Sequence, residues 1–250
     1  MLTLDRNEAT VTVTLDHGPA NALDTELCTE LTSTIHQLDR DADVGAIVLA
    51  GRPGMFSAGV DLTRLDGADD QVIRDFLAAL DGAFRSLLGS DTPIVGAITG
   101  HAIAGGAVLA AACDHAVVSD SDRVRLGLSE LEVGVPFPTS AIEIVRQRCA
   151  GDAARLVWSG QLRDPGGALA ARLVDELAAP DDVVATAQRC ADRLAAVPAT
   201  TRQLTREQLW ADARERVAAR GGTWEPQVVA AWCSPEARAA ISRFCADRLR

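Results

Sequence analysis

The chain has no lysine and no tyrosine, and aromatic residues make up only 4% of it. All 24 basic residues are therefore arginine, set against 35 Asp and Glu for a net charge of −11. Without lysine, Schiff-base catalysis, attachment of pyridoxal phosphate and the Walker A phosphate loop are excluded. The acidic balance argues against nucleic acid as a partner. It leaves room for a small anionic ligand, which needs only local arginines. With so few aromatics the core has to be built from Ala, Val, Leu and Ile in closely packed helices.

Other features are missing as well. The six cysteines (Cys28, Cys113, Cys149, Cys190, Cys233, Cys245) contain no Cys-x-x-Cys pair, so buried thiols in a reducing compartment are expected rather than disulfides. His17, His36, His101 and His115 have no ligand spacing, and no metal site is expected. The first residues, MLTLDRNEAT, lack a charged lead and an apolar core, and the longest apolar run, Ala102 to Cys113, is too short for a bilayer. The expectation is a cytoplasmic protein without a membrane partner.

Strand and helix patterns alternate along the chain. Leu2 to Asp5 and Thr10 to Asp16 read as a β-hairpin, and Asp24 stands as N-cap to a helix with Leu27, Leu31, Ile35 and Leu38 on one face. Gly45 to Ala50, Ile94 to Ile98 and His115 to Ser119 read as buried strands. Between them a helix from about Asp70 to Leu88 presents Val72, Phe76, Leu80 and Phe84. Helices follow at Ser140 to Cys149, Asp152 to Trp158 and after Asp164-Pro165, with Leu173-Val174-Asp175 as a last extended piece. From Asp181 onward the pattern is helical: Val183 to Ala196, Ala199 to Arg220 and Pro235 to Arg248. The class is α/β with mainly parallel strands, divided near Pro198 into a core (1–197) and a C-terminal helical region (198–250).

Ile94 to Asp114 reads as a strand that turns through glycine straight into an apolar helix. Gly105 and Gly106 allow close approach to the backbone, and the first N–H groups of a helix are unpaired, which suits an oxyanion. Taken alone, the segment is better explained by tight packing of a central helix through small residues. A second glycine-bearing turn, Met55 to Leu62, also follows a strand, with Asp61 as N-cap to the next segment. Downstream, Glu130 and Glu132 share a face if their stretch is extended. His101 reads as a hydrogen-bonded core residue, and Ser57 and Ser140 lie in no Gly-x-Ser-x-Gly context.

In order and spacing, Phe56-Ser57-Ala58-Gly59-Val60-Asp61-Leu62, the segment Pro93 to Asp114 with Gly105-Gly106, and Ser129-Glu130 followed by Gly134 resemble the crotonase superfamily of enoyl-CoA hydratases and isomerases. The Gly-Gln-x-x-x-Pro run from Gly160 and Leu173-Val174-Asp175 extend the likeness along nearly the whole chain. The resemblance implies a crotonase-like spiral of ββα units whose C-terminal helices are trimerisation surfaces, in a homotrimer or dimer of trimers. It also implies an acyl-CoA thioester as substrate, with coenzyme A entering as part of it and no separate cofactor.

By position, the resemblance makes the backbone N–H groups of Val60 and Gly105 the oxyanion-hole donors and Glu130 the catalytic carboxylate. Ala22, Ala58, Asp61, Leu62, Val108 and Phe137 would contact coenzyme A or substrate, the Ala58 carbonyl facing the adenine. Arg52 is a candidate for the CoA phosphates. Family hydratases carry two glutamates, and the position of the first falls here on Val108. Hydration needs both a base for water and an acid for carbon, whereas shifting a double bond needs one group that takes a proton and returns it elsewhere. The likeness is therefore to the single-glutamate Δ3,Δ2-enoyl-CoA isomerases. A hydratase, other crotonase-type thioester chemistry, or acyl-CoA binding without turnover are the alternatives.

Overall fold

In the computed structural model, which describes residues 1–248, the N-terminal alternation forms the expected hairpin. Strands β1 (Leu2–Asn7) and β2 (Thr10–Leu15) pair antiparallel with Leu2 opposite Leu15. The strands β3 (Ala46–Ala50), β5 (Ile94–Ile98), β7 (His115–Ser119) and β9 (Glu176–Ala178) then add in parallel, giving the order β1-β2-β3-β5-β7-β9. A smaller parallel sheet has the order β4-β6-β8, from β4 (Gly54–Ser57), β6 (Gly100–Ile103) and β8 (Leu126–Gly127). Three times the chain leaves a strand of the larger sheet, adds one to the smaller, and turns into a helix. This is a spiral of ββα units.

A parallel sheet needs both faces covered. Along β3, Ala46, Val48 and Ala50 point to α9 (Val183–Ala195), where Val183, Ala187 and Ala191 meet them, while Ile47 and Leu49 point into the main core. The main core is closed by α1 (Thr25–Asp39) lying on α3 (Asp70–Gly89). The Asp24 carboxylate accepts from the Leu27 N–H at 2.8 Å, and Leu27, Leu31, Ile35 and Leu38 are buried as the spacing required. In α3, Phe76, Leu80 and Phe84 are buried, but Val72 is 44% exposed. Ile73 takes the inward position because Ile73, Phe76, Leu77 and Leu80 form the i, i+3, i+4, i+7 stripe.

Four further expectations need correction. The strand at Ile94 does not run straight into the helix: the chain first crosses to the smaller sheet as β6, and a methyl group on Gly100 would lie 1.9 Å from the Gly54 carbonyl carbon. Helix α4 begins at Gly105 and runs to Ala111. The segment holding Glu130 and Glu132 is not extended but the single helical turn α5 (Glu130–Val133), so the two carboxylates diverge, Glu130 inward and Glu132 to solvent. Leu173 to Asp175 precedes the last strand rather than forming it; Asp175 ties it in by donating its N–H to the Ala116 carbonyl.

The fourth correction is that α10 (Ala199–Trp232) continues through Gly221, Gly222 and Pro226 instead of stopping at Arg220. Tertiary burial of Trp210, Ala213, Val217, Val228 and Trp232 outweighs the local breakers. Helix α10 lies on α3 and on α6 (Thr139–Cys149), and α11 (Pro235–Arg248) lies on α5 and α2 (Leu62–Leu65). Buried Arg206 fixes α10 to the end of the larger sheet, its Nε 2.8 Å from an Asp114 oxygen, while the Trp210 indole donates to the other at 2.8 Å. The helical region that follows Pro198 thus packs into one continuous core with the α/β part; its last two residues, 249 and 250, lie outside the described residues. No described helix is long and apolar enough to cross a membrane.

Candidate active site

The turn after β4 and the start of α4 come together at three glycines. Gly59 has φ +81°, and a methyl group on it would lie 2.6 Å from the Ile103 carbonyl oxygen and 3.0 Å from the Gly105 nitrogen. A methyl group on Gly106 would lie 2.3 Å from the Ser57 carbonyl oxygen. The packing explanation of these glycines is therefore correct, and its consequence is that two backbone segments meet with nothing between them.

Each segment brings an N–H with no backbone acceptor among the described residues. Leu23 donates to the Gly59 carbonyl at 2.8 Å and accepts from the Asp61 N–H at 2.9 Å. A parallel bridge of this form turns the N–H of the intervening residue, Val60, to the opposite side. Gly105 is the first residue of α4, where no helical acceptor exists. Just before it, Ala104 has φ +51° and ψ −122°, a conformation that strains any residue with a Cβ, and its N–H is pinned to the Gly127 carbonyl at 2.7 Å. Asp61 caps α2 as expected, accepting from the Thr63 N–H at 3.1 Å.

Ser57 and Asn21 lock the turn in place. The fully buried Ser57 hydroxyl donates to the Asn21 carbonyl at 2.8 Å and accepts from the Gly59 N–H at 3.2 Å. The Asn21 amide in turn donates to the carbonyls of Leu15 and Phe56 at 3.0 and 3.1 Å. Ser140 donates to an Asp81 carboxylate oxygen, so both candidate serine nucleophiles are occupied structurally. His101 is half-buried rather than a core residue, its Nδ1 accepting from the Arg125 N–H at 3.2 Å.

Beside Val60 a cavity of about 40 Å³ is lined by Val60, Ile103, Ala104 and Glu130. Glu130 is only 8% exposed, and its Oε2 has no hydrogen-bond partner. Burial in this apolar setting pushes its carboxyl up to about 8, against a small opposing effect of its own backbone N–H. Val133, Val135, Trp232 and Phe244 complete the apolar lining of this cavity. No second Asp or Glu lines this cavity among the described residues.

An outer cavity of about 390 Å³ adjoins the inner one, sharing Ala58, Val60, Leu62 and Phe244 and adding Ala22, Asp61 and Asp66. Thus Ala22, Ala58, Val60, Asp61, Leu62 and Glu130 line two adjoining cavities, whereas Gly105, next in the chain after Ala104, lines neither. Val108 and Phe137 do not join them. Val108 is fully buried in the core, and Phe137 lines a separate groove with Trp158 and Trp224, on the other side of α5. Arg52 is turned to the Gly18 carbonyl and stands 3.5 Å from Asp16, outside the outer cavity. No local pattern singles out Trp232 and Phe244, which reach the site only because α10 and α11 fold back over it.

A ββα spiral closed by its own C-terminal helices is a crotonase fold. The family model described as Enoyl-CoA hydratase/isomerase matches residues 5–245. The chain belongs to that family of enzymes. It is 32% identical over 190 residues to human mitochondrial enoyl-CoA delta isomerase 1, covering 75% of this chain and 63% of that protein. With a putative enoyl-CoA hydratase of Thermus thermophilus it shares 31% identity, covering 84% of each. The crystal structure of human mitochondrial Δ3-Δ2-enoyl-CoA isomerase superposes with a TM-score of 0.93 at 25% identity, over 99% of this chain and 97% of that one. A probable enoyl-CoA hydratase from Mycobacterium tuberculosis superposes with a TM-score of 0.83 at 30% identity, over 90% and 95%.

Proposed function

We propose that this chain moves the double bond of an enoyl-CoA thioester from the 3 to the 2 position, with Glu130 as its single acid/base. The observation that carries the reading is Glu130 itself: one enclosed carboxylate, one oxygen without a partner, and no second carboxylate lining its cavity among the described residues. The thioester oxygen lies on the N–H groups of Val60 and Gly105. Glu130 takes a proton from C2, and the electrons of that bond pass into a dienolate spread from the thioester oxygen to C4. The same carboxyl then returns the proton at C4, which leaves the double bond between C2 and C3 and restores the carboxylate.

Two preorganised donors on the developing oxyanion each contribute on the order of 3 kcal/mol to lowering the barrier. A carboxyl held near pH 8 is a stronger base than an ordinary one and matches what proton transfer at neutral pH asks for. The outer cavity, with Ala22, Ala58, Asp61 and Leu62, receives coenzyme A as part of the substrate. Val108, at the position of the other hydratase glutamate, supplies no group to activate water. A homotrimer or dimer of trimers completes the reading, and the exposed Trp158 and Trp224 beside their groove offer an apolar contact surface for it.

The test is turnover of 3-enoyl-CoA and 2-enoyl-CoA by the wild type and by Glu130→Gln. Isomerisation reduced by about 10³-fold or more in the variant is expected. Isomerisation that survives the substitution refutes the single-base mechanism, and hydration of 2-enoyl-CoA without isomerisation makes the chain a hydratase.

A further inference from the structure

We propose that the inner cavity is a short-chain acyl site and that Trp232 sets its limit. The proposal rests on the isomerase reading and names the substrate class of that same site.

The cavity offers about 40 Å³. A water-sized group takes roughly 10–15 Å³ on the same measure, so about three such groups fit. The reaction itself places C2 and C4 beside Glu130, which lines this cavity, and that uses most of the space. The direction of the chain follows from the shared walls. Ala58, Val60 and Leu62 line both cavities, so the thioester enters from their side; Ile103, Val133, Val135 and Trp232 line only the inner one and form its far end. An acyl chain that continues beyond C4 therefore runs toward the Trp232 indole.

That indole is held against displacement. Its Nε1 donates to the Pro136 carbonyl at 2.8 Å, its ring centroid lies 6.3 Å from that of Phe76, and the residue is 1% exposed. Rotating it away breaks that hydrogen bond and opens a void beside Phe76. Val133 and Val135 flank the left-handed turn at Gly134, φ +88°, whose N–H bonds to the Glu130 carbonyl at 3.1 Å, so the wall moves only if the catalytic turn moves with it. A longer chain has to overpack a core that a short one merely fills.

The experiment is the kcat/KM series for 3-butenoyl-, 3-hexenoyl-, 3-octenoyl- and 3-decenoyl-CoA, with wild type, Trp232→Leu and Trp232→Ala. The wild type is expected to lose about tenfold or more between the hexenoyl and decenoyl substrates. The variants that retain the wild-type circular dichroism recover about tenfold on decenoyl-CoA and gain nothing on hexenoyl-CoA. A flat or rising wild-type series overturns the proposal whether or not the variants fold, and a steep series unchanged in a folded variant removes Trp232 as its cause. Calorimetric binding of butanoyl-, hexanoyl- and decanoyl-CoA reads the cavity without turnover. If no 3-enoyl-CoA of any length is isomerised while affinity still falls with length, only the isomerase reading fails; affinity that rises with length overturns the short-chain site.

Discussion

Glu130 burdens the fold that holds it, and replacing it with glutamine tests this directly. The carboxyl titrates near 4.5 in the unfolded chain and near 8 in the folded one. A raised folded pKa in an acid means that the native state binds more protons between these values, so stability is undisturbed below pH 4.5 and declines as pH rises toward 8. Each pH unit in that window is worth about 1.4 kcal/mol, which makes the penalty roughly 3 kcal/mol at pH 7 and roughly 5 kcal/mol above pH 8. Glutamine keeps the shape and carries no charge to desolvate. Glu130→Gln is therefore expected to unfold at higher urea than the wild type, with a gap close to zero at pH 4.5 that widens to its full size by pH 9. Urea titrations followed by tryptophan fluorescence at pH 4.5, 7 and 9 measure it. A gap that does not grow with pH, or a variant less stable than the wild type at pH 9, refutes the claim that Glu130 is a buried, desolvated acid. The same variant is expected to lack isomerase activity, so a residue that costs stability would be retained for chemistry.

Other expected outcomes follow from the same structure. The kcat/KM for a 3-enoyl-CoA rises with pH and levels near pH 8, because free Glu130 must be ionised to act as a base; a limb near pH 4.5 would show a solvated carboxylate. Gly106→Ala places a methyl group 2.3 Å from the Ser57 carbonyl oxygen and is expected to lower stability by about 1–3 kcal/mol, read by denaturant midpoint. Asp114→Ala strips the carboxylate from buried Arg206 and is expected to cost about 3 kcal/mol or more, with thermal unfolding as the measure.

Much of the fold was legible in the linear chain, because strands buried on both faces and helices with one apolar face follow from local periodicity. The hairpin, the Asp24-capped helix and the strand–helix alternation all read directly from such patterns. The segments around Gly59, Gly105 and Glu130 could also be picked out, since close backbone approach requires glycine and an acid in an apolar stretch is conspicuous. Errors arose where contacts distant in sequence override local rules. Burial carries α10 past Gly221, Gly222 and Pro226; crossing to the second sheet at Gly100 interrupts the element that begins at Ile94; and Glu130 and Glu132 share a single helical turn that points them apart. The enclosure of Glu130 was beyond local pattern altogether. By itself the sequence determined the order of elements and the residue types that chemistry would need. Only the tertiary structure decided which of them meet, because Trp232 and Phe244 line the Glu130 cavity from helices that begin nearly seventy residues or more beyond it, and burial there pushes the carboxyl pKa up.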